Sequence, residues 1–578
     1  MNIHITTDRI KKIAYFLPIL SLIYVYEFGV NVIFWDEVEF VDMFNDNVDF
    51  WKFILHPHNE HFMPFGKLEY YVLAKITSMN SKVVMYADIF ILWITYLFLI
   101  KKIETKNVLF AITSVIVFYL ALFSPLSWQN LLWGFQVSYL TAFSFAILPI
   151  LLCDSFIRTK EIKYLLIASC CCFIASLNSS HGILSWISIF SVTIYSKQYK
   201  KCSIALYPCL FIVTFYLIER SGVTFQTKQG TDDLSLFSIA QFFLTFVSSN
   251  IWSFKFEYGW IVGVVIVVAM CYLIIYKKLY KNYLVTTLFA LGLLIAAMVT
   301  FGRWRLGLPT AYSSRYFQLQ MPVYLAFAVV MSQYRYIENN EGSRILLVNK
   351  NNTVLLRYSP EAFIGLIVVV VFEIIFLTVS ISDIPTSASR HKELVRESIT
   401  VLSYEDQPQS VIKSTVYPGY KRAINQLEIL KSKKLNVFSS IPNLPFNQVS
   451  FSNIESYQPV SDAKFNVENF KLALRENYLY VDIKGWCFDE APLPNDTTWK
   501  LLLESSNKFY EIPLNTVVRP DVSQVYNSKL DNSGFSRNDV YLFKRENEIK
   551  YPVKLYLVNE TSKVKKLIDI KLTVTSNN

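Results

Sequence analysis

Charge is what this chain most conspicuously lacks. Asp, Glu, Lys and Arg make up 17 % of its 578 residues, against about 25 % in soluble domains. So few charges cannot solvate the whole surface of a chain this long, so much of it must face something other than water. Glycine (16) and proline (20) are also sparse, which excludes collagen-like and Pro/Gly low-complexity chains. Eight cysteines occur without a CxxC pair, which argues against zinc ribbons and thioredoxin-type redox motifs. Only Cys487 lies in the polar C-terminal third, so no internal disulfide can form there. The triplet Cys170, Cys171 and Cys172 reads as core or lipid-facing packing. Walker A, GxGxxG and GxSxG patterns are all missing, which removes the common signatures of nucleotide-binding and Ser-hydrolase folds.

What remains is apolar. Hydrophobic residues reach 53 % and aromatics 16 %. A membrane span needs about 20 apolar residues. Runs of that kind fall near 13–34, 83–100, 108–124, 137–156, 164–177, 183–196, 203–219, 259–276, 283–301, 317–333 and 362–380, eleven in all. Those at 164–177 and 183–196 are short and must borrow flanking residues. With Arg9, Lys11 and Lys12 inside, every second connection is basic. Lys101, Lys102 and Lys106 mark one; Arg158, Lys160 and Lys163 the next; then come Lys197, Lys200 and Lys201, and Lys277, Lys278 and Lys281. The opposite connections 125–136 and 178–182 carry no Lys or Arg. This is the positive-inside pattern. It accounts for much of the net charge of +10 without a nucleic-acid partner. Eleven spans place the C-terminus outside, and 13–34 reads as a retained first span rather than a cleaved leader.

After Ser380 the chain becomes polar, with a helix expected at Tyr420–Lys434. Short alternating runs follow at Leu479–Ile483, Trp499–Leu503, Val540–Phe543 and Val553–Val558, the pattern of a small antiparallel β domain. The expected organisation is a polytopic α-helical membrane domain over 1–383, a mixed helical segment over 384–460 and an external β-sandwich over 461–578.

Three segments on the expected outer side could carry chemistry. The first holds Asp36, Glu37 and Glu39, then His56, His58, Asn59, Glu60 and His61. A carboxylate at a span exit sits where a lipid-linked head group arrives, and can take a proton from an acceptor hydroxyl. A solvated acidic loop is the plain alternative. The histidine run could bind metal, but lacks HExxH spacing; hydrogen bonding to substrate or within the loop is the other reading. The second segment, Ser127–Gln136, carries Trp128, Gln129, Asn130, Trp133 and Gln136 and no charge. It suits either a sugar-facing surface or an interfacial aromatic belt. The third places Arg303, Arg305 and Arg315, with Tyr316, against the positive-inside bias. Arginine forks match phosphate oxygens, and salt bridges to Asp36, Glu37 or Glu39 are the alternative. His181, at another outer turn, reads as structural.

Residues 10–380 resemble the bacterial polytopic glycosyltransferases of the GT-C class, in particular serotype-converting O-antigen glucosyltransferases and their relatives. The resemblance rests on Asp36-Glu37, on His58–His61, on Asn130–Gln136, and on Gly302-Arg303 with Ser314-Arg315-Tyr316. It implies an inverting enzyme of the bacterial inner membrane that moves a hexose from a polyprenyl-phosphate carrier to a surface polysaccharide or lipid-linked glycan. It further implies that Asp36 or Glu37 activates the acceptor and that Arg303, Arg305 and Arg315 hold the carrier phosphate. The class contains both metal-dependent and metal-independent enzymes. Ile483–Cys487, Val518–Val522 and Ser533–Phe535 resemble a small β-sandwich appended to some bacterial cell-surface glycosyltransferases. A flippase, or a polymerase or ligase of polyprenyl-linked glycans, is the competing class.

Overall fold

A computed structural model describes residues 6–58, 61–220, 235–250, 258–276, 278–333, 345–349, 352–356, 374–405, 407–439, 447–449, 458–459, 464–474, 478–488, 499–505, 508–526, 533–542, 553–559 and 564–568. The chain divides into two units, Met1–Leu394 and Val395–Asn578.

The first unit is helical because its apolar runs are long enough to satisfy their own backbone in lipid. Among the described residues five helical segments are long and apolar enough to cross a bilayer: Ser81–Lys101, Val108–Leu131, Gly134–Thr159, Gly259–Tyr276 and Tyr283–Leu306. This is a membrane protein. Asparagine starts three of the helices. Asn80 accepts from Lys82 N and Val83 N, Asn107 from Leu109 N and Phe110 N, and Asn282 from Val285 N, which satisfies amides that the helix itself cannot.

Of the other apolar runs, 203–219 lies in the 22-residue helix Tyr199–Arg220, and the rest give shorter pieces. The 13–34 run holds the helix Ile19–Phe28 and the end of the helix Thr7–Ala14. Between them, bonds such as Phe16 N to Ile13 O and Ile19 N to Phe16 O tighten the turn just before and after Pro18, and the chain is extended after Gly29. Ile162–Ser176, Ile187–Ser196 and Phe317–Ser332 follow the expected runs. Most of 362–380 lies outside the described residues. A helix not anticipated from the sequence, Leu236–Ser248, buries Phe242, Phe246 and Val247. Gly263 lets the helix Gly259–Tyr276 lie against it: a Cβ there would come within 2.0 Å of Leu244 O. At the basic connections Lys102 Nζ meets Asp154 Oδ2 at 2.7 Å, and Arg158 Nε meets the same oxygen at 3.0 Å.

The division at Leu394/Val395 falls inside the helix Ile384–Leu402. In the second unit Tyr420–Ser432 is helical, close to the expected range. Four strands pair in the order Lys464–Leu474, Tyr478–Phe488, Gly534–Leu542, Asn515–Val517, each pair antiparallel. Six more pair in the order Asn447–Val449, Lys508–Pro513, Trp499–Ser505, Val553–Asn559, Val564–Ile568, Gln458–Pro459, all antiparallel except the last, parallel pair. Trp499 of the second sheet and Phe535 of the first have ring centres 6.0 Å apart. In the Val518–Val522 segment Arg519 forks onto Asp521, at 2.9 Å to Oδ1 and 2.6 Å to Oδ2. This guanidinium holds the Asp521 carboxyl down at about 2.

Candidate functional site

The site begins at a backbone reversal. Trp35 has φ +51°, a costly conformation for a bulky residue. It sends Phe34 into the protein and leaves Trp35 46 % exposed. The short helix Asp36–Glu39 follows, and its two leading carboxylates part company. Glu37 is fully buried. Its Oε1 accepts from Tyr70 OH at 2.7 Å and from Ser81 Oγ at 2.9 Å. Asp36 is half-buried and makes contacts of its own. The pair therefore does not act at one point: Glu37 pins the loop to the helices Pro64–Ile76 and Ser81–Lys101, and Asp36 is left at the more open side.

Burial pushes the Glu37 carboxyl up to about 7, against the opposing hydrogen bonds of Tyr70 and Ser81 and the nearby indole of Trp133. Glu37 Oε2 and Trp133 Nε1 nonetheless have no hydrogen-bond partner at good geometry among the described residues. Gly134 lets the second segment come this close, since a Cβ would stand 3.1 Å from Glu37 Oε1. Two further carboxylates lie nearby, Asp88 buried and Glu69 half-buried. Glu69 accepts from Thr141 Oγ1 at 2.8 Å, and burial raises it to about 7. Asp88 feels the charge of both Glu69 and Glu37, and neither of its oxygens is hydrogen-bonded among the described residues.

The histidine run folds on itself. His58 and His61 exchange backbone bonds of 2.8 and 2.9 Å; Asn59 and Glu60, between them, lie outside the described residues. His58 is buried against the rings of Phe40 and Phe135, with Nδ1 3.3 Å from Glu39 Oε2. His61 Nδ1 pairs with Ser180 Oγ at 3.0 Å. His56 Nδ1 bonds the adjacent carbonyl of Pro57 at 2.7 Å. The nearby Lys67 donates to the carbonyls of Phe53 and His56 at 2.8 and 2.6 Å, and its burial lowers it to about 8. Burial, then the charge of His61, hold His181 down at about 3, so it is neutral. Among the described residues no three His, Cys, Asp or Glu side chains converge as metal ligands.

The second segment is a hub. Gln129 Oε1 accepts from Arg315 N at 3.2 Å, Asn130 Nδ2 donates to Arg315 O at 2.9 Å, and Tyr139 OH donates to the same carbonyl at 2.6 Å. Asn130 also donates to Gln318. These two amides therefore hold the third segment's backbone, whereas a sugar-facing surface was one expectation for this loop. Trp133 instead stacks on Phe34 at 5.0 Å, and Gln136 is buried. With its backbone clamped, Arg315 presents an exposed side chain 5.2 Å over the Tyr316 ring, and Tyr316 itself is buried. Arg305 is exposed over the Trp304 ring at 5.5 Å. Arg303 closes the helix Tyr283–Arg303 half-buried.

A cavity of about 280 Å³ opens beside this hub. Phe34, Trp35, Trp128 and Trp133 line it together with Gln129, Arg390 and Glu393. Sequence reading missed the last two. They sit on the helix Ile384–Leu402, in the stretch to Leu394 that belongs to the first unit. Their signal was there: Thr386, Ser389, Arg390 and Glu393 follow the 3, 4, 7 spacing of one helix face. Compared with family models, curated proteins and solved structures, the chain matches none.

Proposed function

We propose that the chain is an inverting membrane glycosyltransferase of GT-C type. It moves a hexose from a polyprenyl-phosphate carrier to a surface polysaccharide or lipid-linked glycan at the outer face of the bacterial inner membrane. Eleven spans, a cytoplasmic N-terminus and an external β-sandwich belong to this reading. The observation that carries it is the gathering of three sequence-distant segments: the 128–136 loop touches Phe34 on one side and clamps the Arg315 backbone on the other.

Asp36 is the general base. It takes the proton from an acceptor hydroxyl, and the freed oxygen forms a bond to the anomeric carbon opposite the phosphate. The bond from that carbon to the phosphate oxygen breaks, and its electron pair leaves with polyprenyl phosphate. Arg315, with Arg303 and Arg305, stabilises the charge that builds on the leaving group. Glu37 is a positioning residue. The test is sugar transfer in membranes holding equal amounts of folded wild type and Asp36→Asn. The variant keeps shape and hydrogen bonding but cannot accept a proton, so transfer should fall by about 10²–10⁴-fold. Near-wild-type transfer would overturn the assignment.

One observation favours a flippase as the second reading. Asp88 lies about 10 Å along the helix from its start, buried with neither oxygen hydrogen-bonded among the described residues. An intramembrane carboxylate of this kind marks translocation paths. Mass spectrometry of surface glycan from cells with and without the protein separates the two: an enzyme changes the glycan's composition by one sugar, a flippase only its amount.

A further inference from the structure

We infer that the cavity beside Trp35 is a subsite for one uncharged pyranose ring, stacked on the Trp35 indole with the Arg390–Glu393 pair at its edge. Its volume, about 280 Å³, is at the lower edge of small-ligand sites, which run from about 300 Å³ upward, and suits a single ring. Phe34 is stacked on Trp133 and lies under Arg390, and Trp128 also lies under Arg390, so the exposed indole of Trp35 is the flat apolar face left to the C–H side of a sugar. Trp35 is held there, half-exposed, by a strained backbone, as expected of a residue whose place matters more than its comfort.

The Arg390–Glu393 edge decides what kind of molecule fits. Arg390 Cζ lies 5.0 Å from the Phe34 ring centre and 5.8 Å from that of Trp128, so a cation already occupies those aromatic faces. A quaternary ammonium ligand would compete with it. Arg390 Nη1 also pairs with Glu393 Oε2 at 2.9 Å. This pairing cancels the guanidinium charge and puts a carboxylate at the rim, which disfavours a phosphate. Planar donors and acceptors beside an exposed indole, paired so that their charges cancel, match the hydroxyls of a neutral sugar. Arg390 is 14 % exposed in its side chain and Glu393 55 %, so the carboxylate can meet a ring entering from outside.

The binding inference stands on the cavity. That the ring belongs to the acceptor rests on the transfer reading, since Trp35 directly precedes Asp36. The two are separable by experiment. The full chain, in nanodiscs free of glycosidic detergent, is examined by saturation-transfer difference NMR. The probes are methyl α-D-glucopyranoside, methyl β-D-galactopyranoside and N-acetylglucosamine, with choline as a control, at about 10 mM, suited to weak binding. At least one glycoside should show saturation transfer. The signal should drop about fivefold or more in Glu393→Gln, an isosteric change at an exposed position, and in Trp35→Ala, with unchanged melting of Glu393→Gln as the folding control. No glycoside signal in the wild type, a signal indifferent to both variants, or a response to choline alone would overturn the inference. Wild-type protein that transfers sugar yet shows no glycoside signal would sink the subsite and spare the transferase. Binding without any transfer would do the reverse.

Discussion

Glu37→Gln separates the anchoring role of Glu37 from chemistry, and its signature is a slope in pH. Burial raises the folded-state value from 4.5 to about 7. Between those values the folded protein holds a proton that the unfolded chain releases. Stability from this group is therefore full below about pH 4.5, falls as pH rises through the window, and is constant and lower above it. The loss is below about 1 kcal/mol at pH 5 and about 3 kcal/mol at pH 8, a change of roughly 2–3 kcal/mol. Gln cannot ionise, so the variant lacks this change. It keeps an oxygen for Tyr70 and Ser81, but places an amide donor where Glu37 Oε2 faces the Trp133 indole N–H. That conflict costs about 1–3 kcal/mol, and the cost is the same at every pH. Glu69, shifted in the same direction, contributes equally to both proteins and cancels in their difference. Unfolding midpoints in SDS titrations, followed by Trp fluorescence from pH 5 to 8, should show the wild type losing stability relative to Glu37→Gln by roughly 2–3 kcal/mol. Parallel profiles would refute the buried, ionisable anchor, and a wild type gaining on the variant would reverse its sign.

Arg315→Lys leaves the backbone clamp from Gln129, Asn130 and Tyr139 in place but loses the two-pronged donor. Transfer should fall by about tenfold or more with unchanged melting, and full activity would remove Arg315 from phosphate binding. Asp154→Asn leaves Lys102 without its buried carboxylate partner; folding should weaken by about 3–5 kcal/mol, read by the same SDS titration, while transfer per folded molecule stays level. Reporter fusions at Lys200 and Lys278 should read cytoplasmic and a fusion after Asn578 external; a cytoplasmic C-terminus would overturn the odd number of spans.

The sequence by itself determined the membrane setting, because a backbone in lipid must form long apolar helices and those are visible as composition. It also determined the strands near Leu479–Ile483, Trp499–Leu503 and Val553–Val558, since period-2 alternation is local. The helices Leu236–Ser248 and Ile384–Leu402 were harder to see. The first is too short to read as a span, and the second's apolar positions are thinned by Ser, Thr and charge. Adjacent letters also could not say that Asp36 and Glu37 part, one toward the open side and one into the core. Only the fold brings Tyr70 and Ser81 onto Glu37, turns the amides of Gln129 and Asn130 onto the backbone of Arg315, and sets Arg390 over Phe34. These contacts join residues tens to hundreds of positions apart. Close packing fixes them, and close packing depends on the whole arrangement of helices rather than on any one of them.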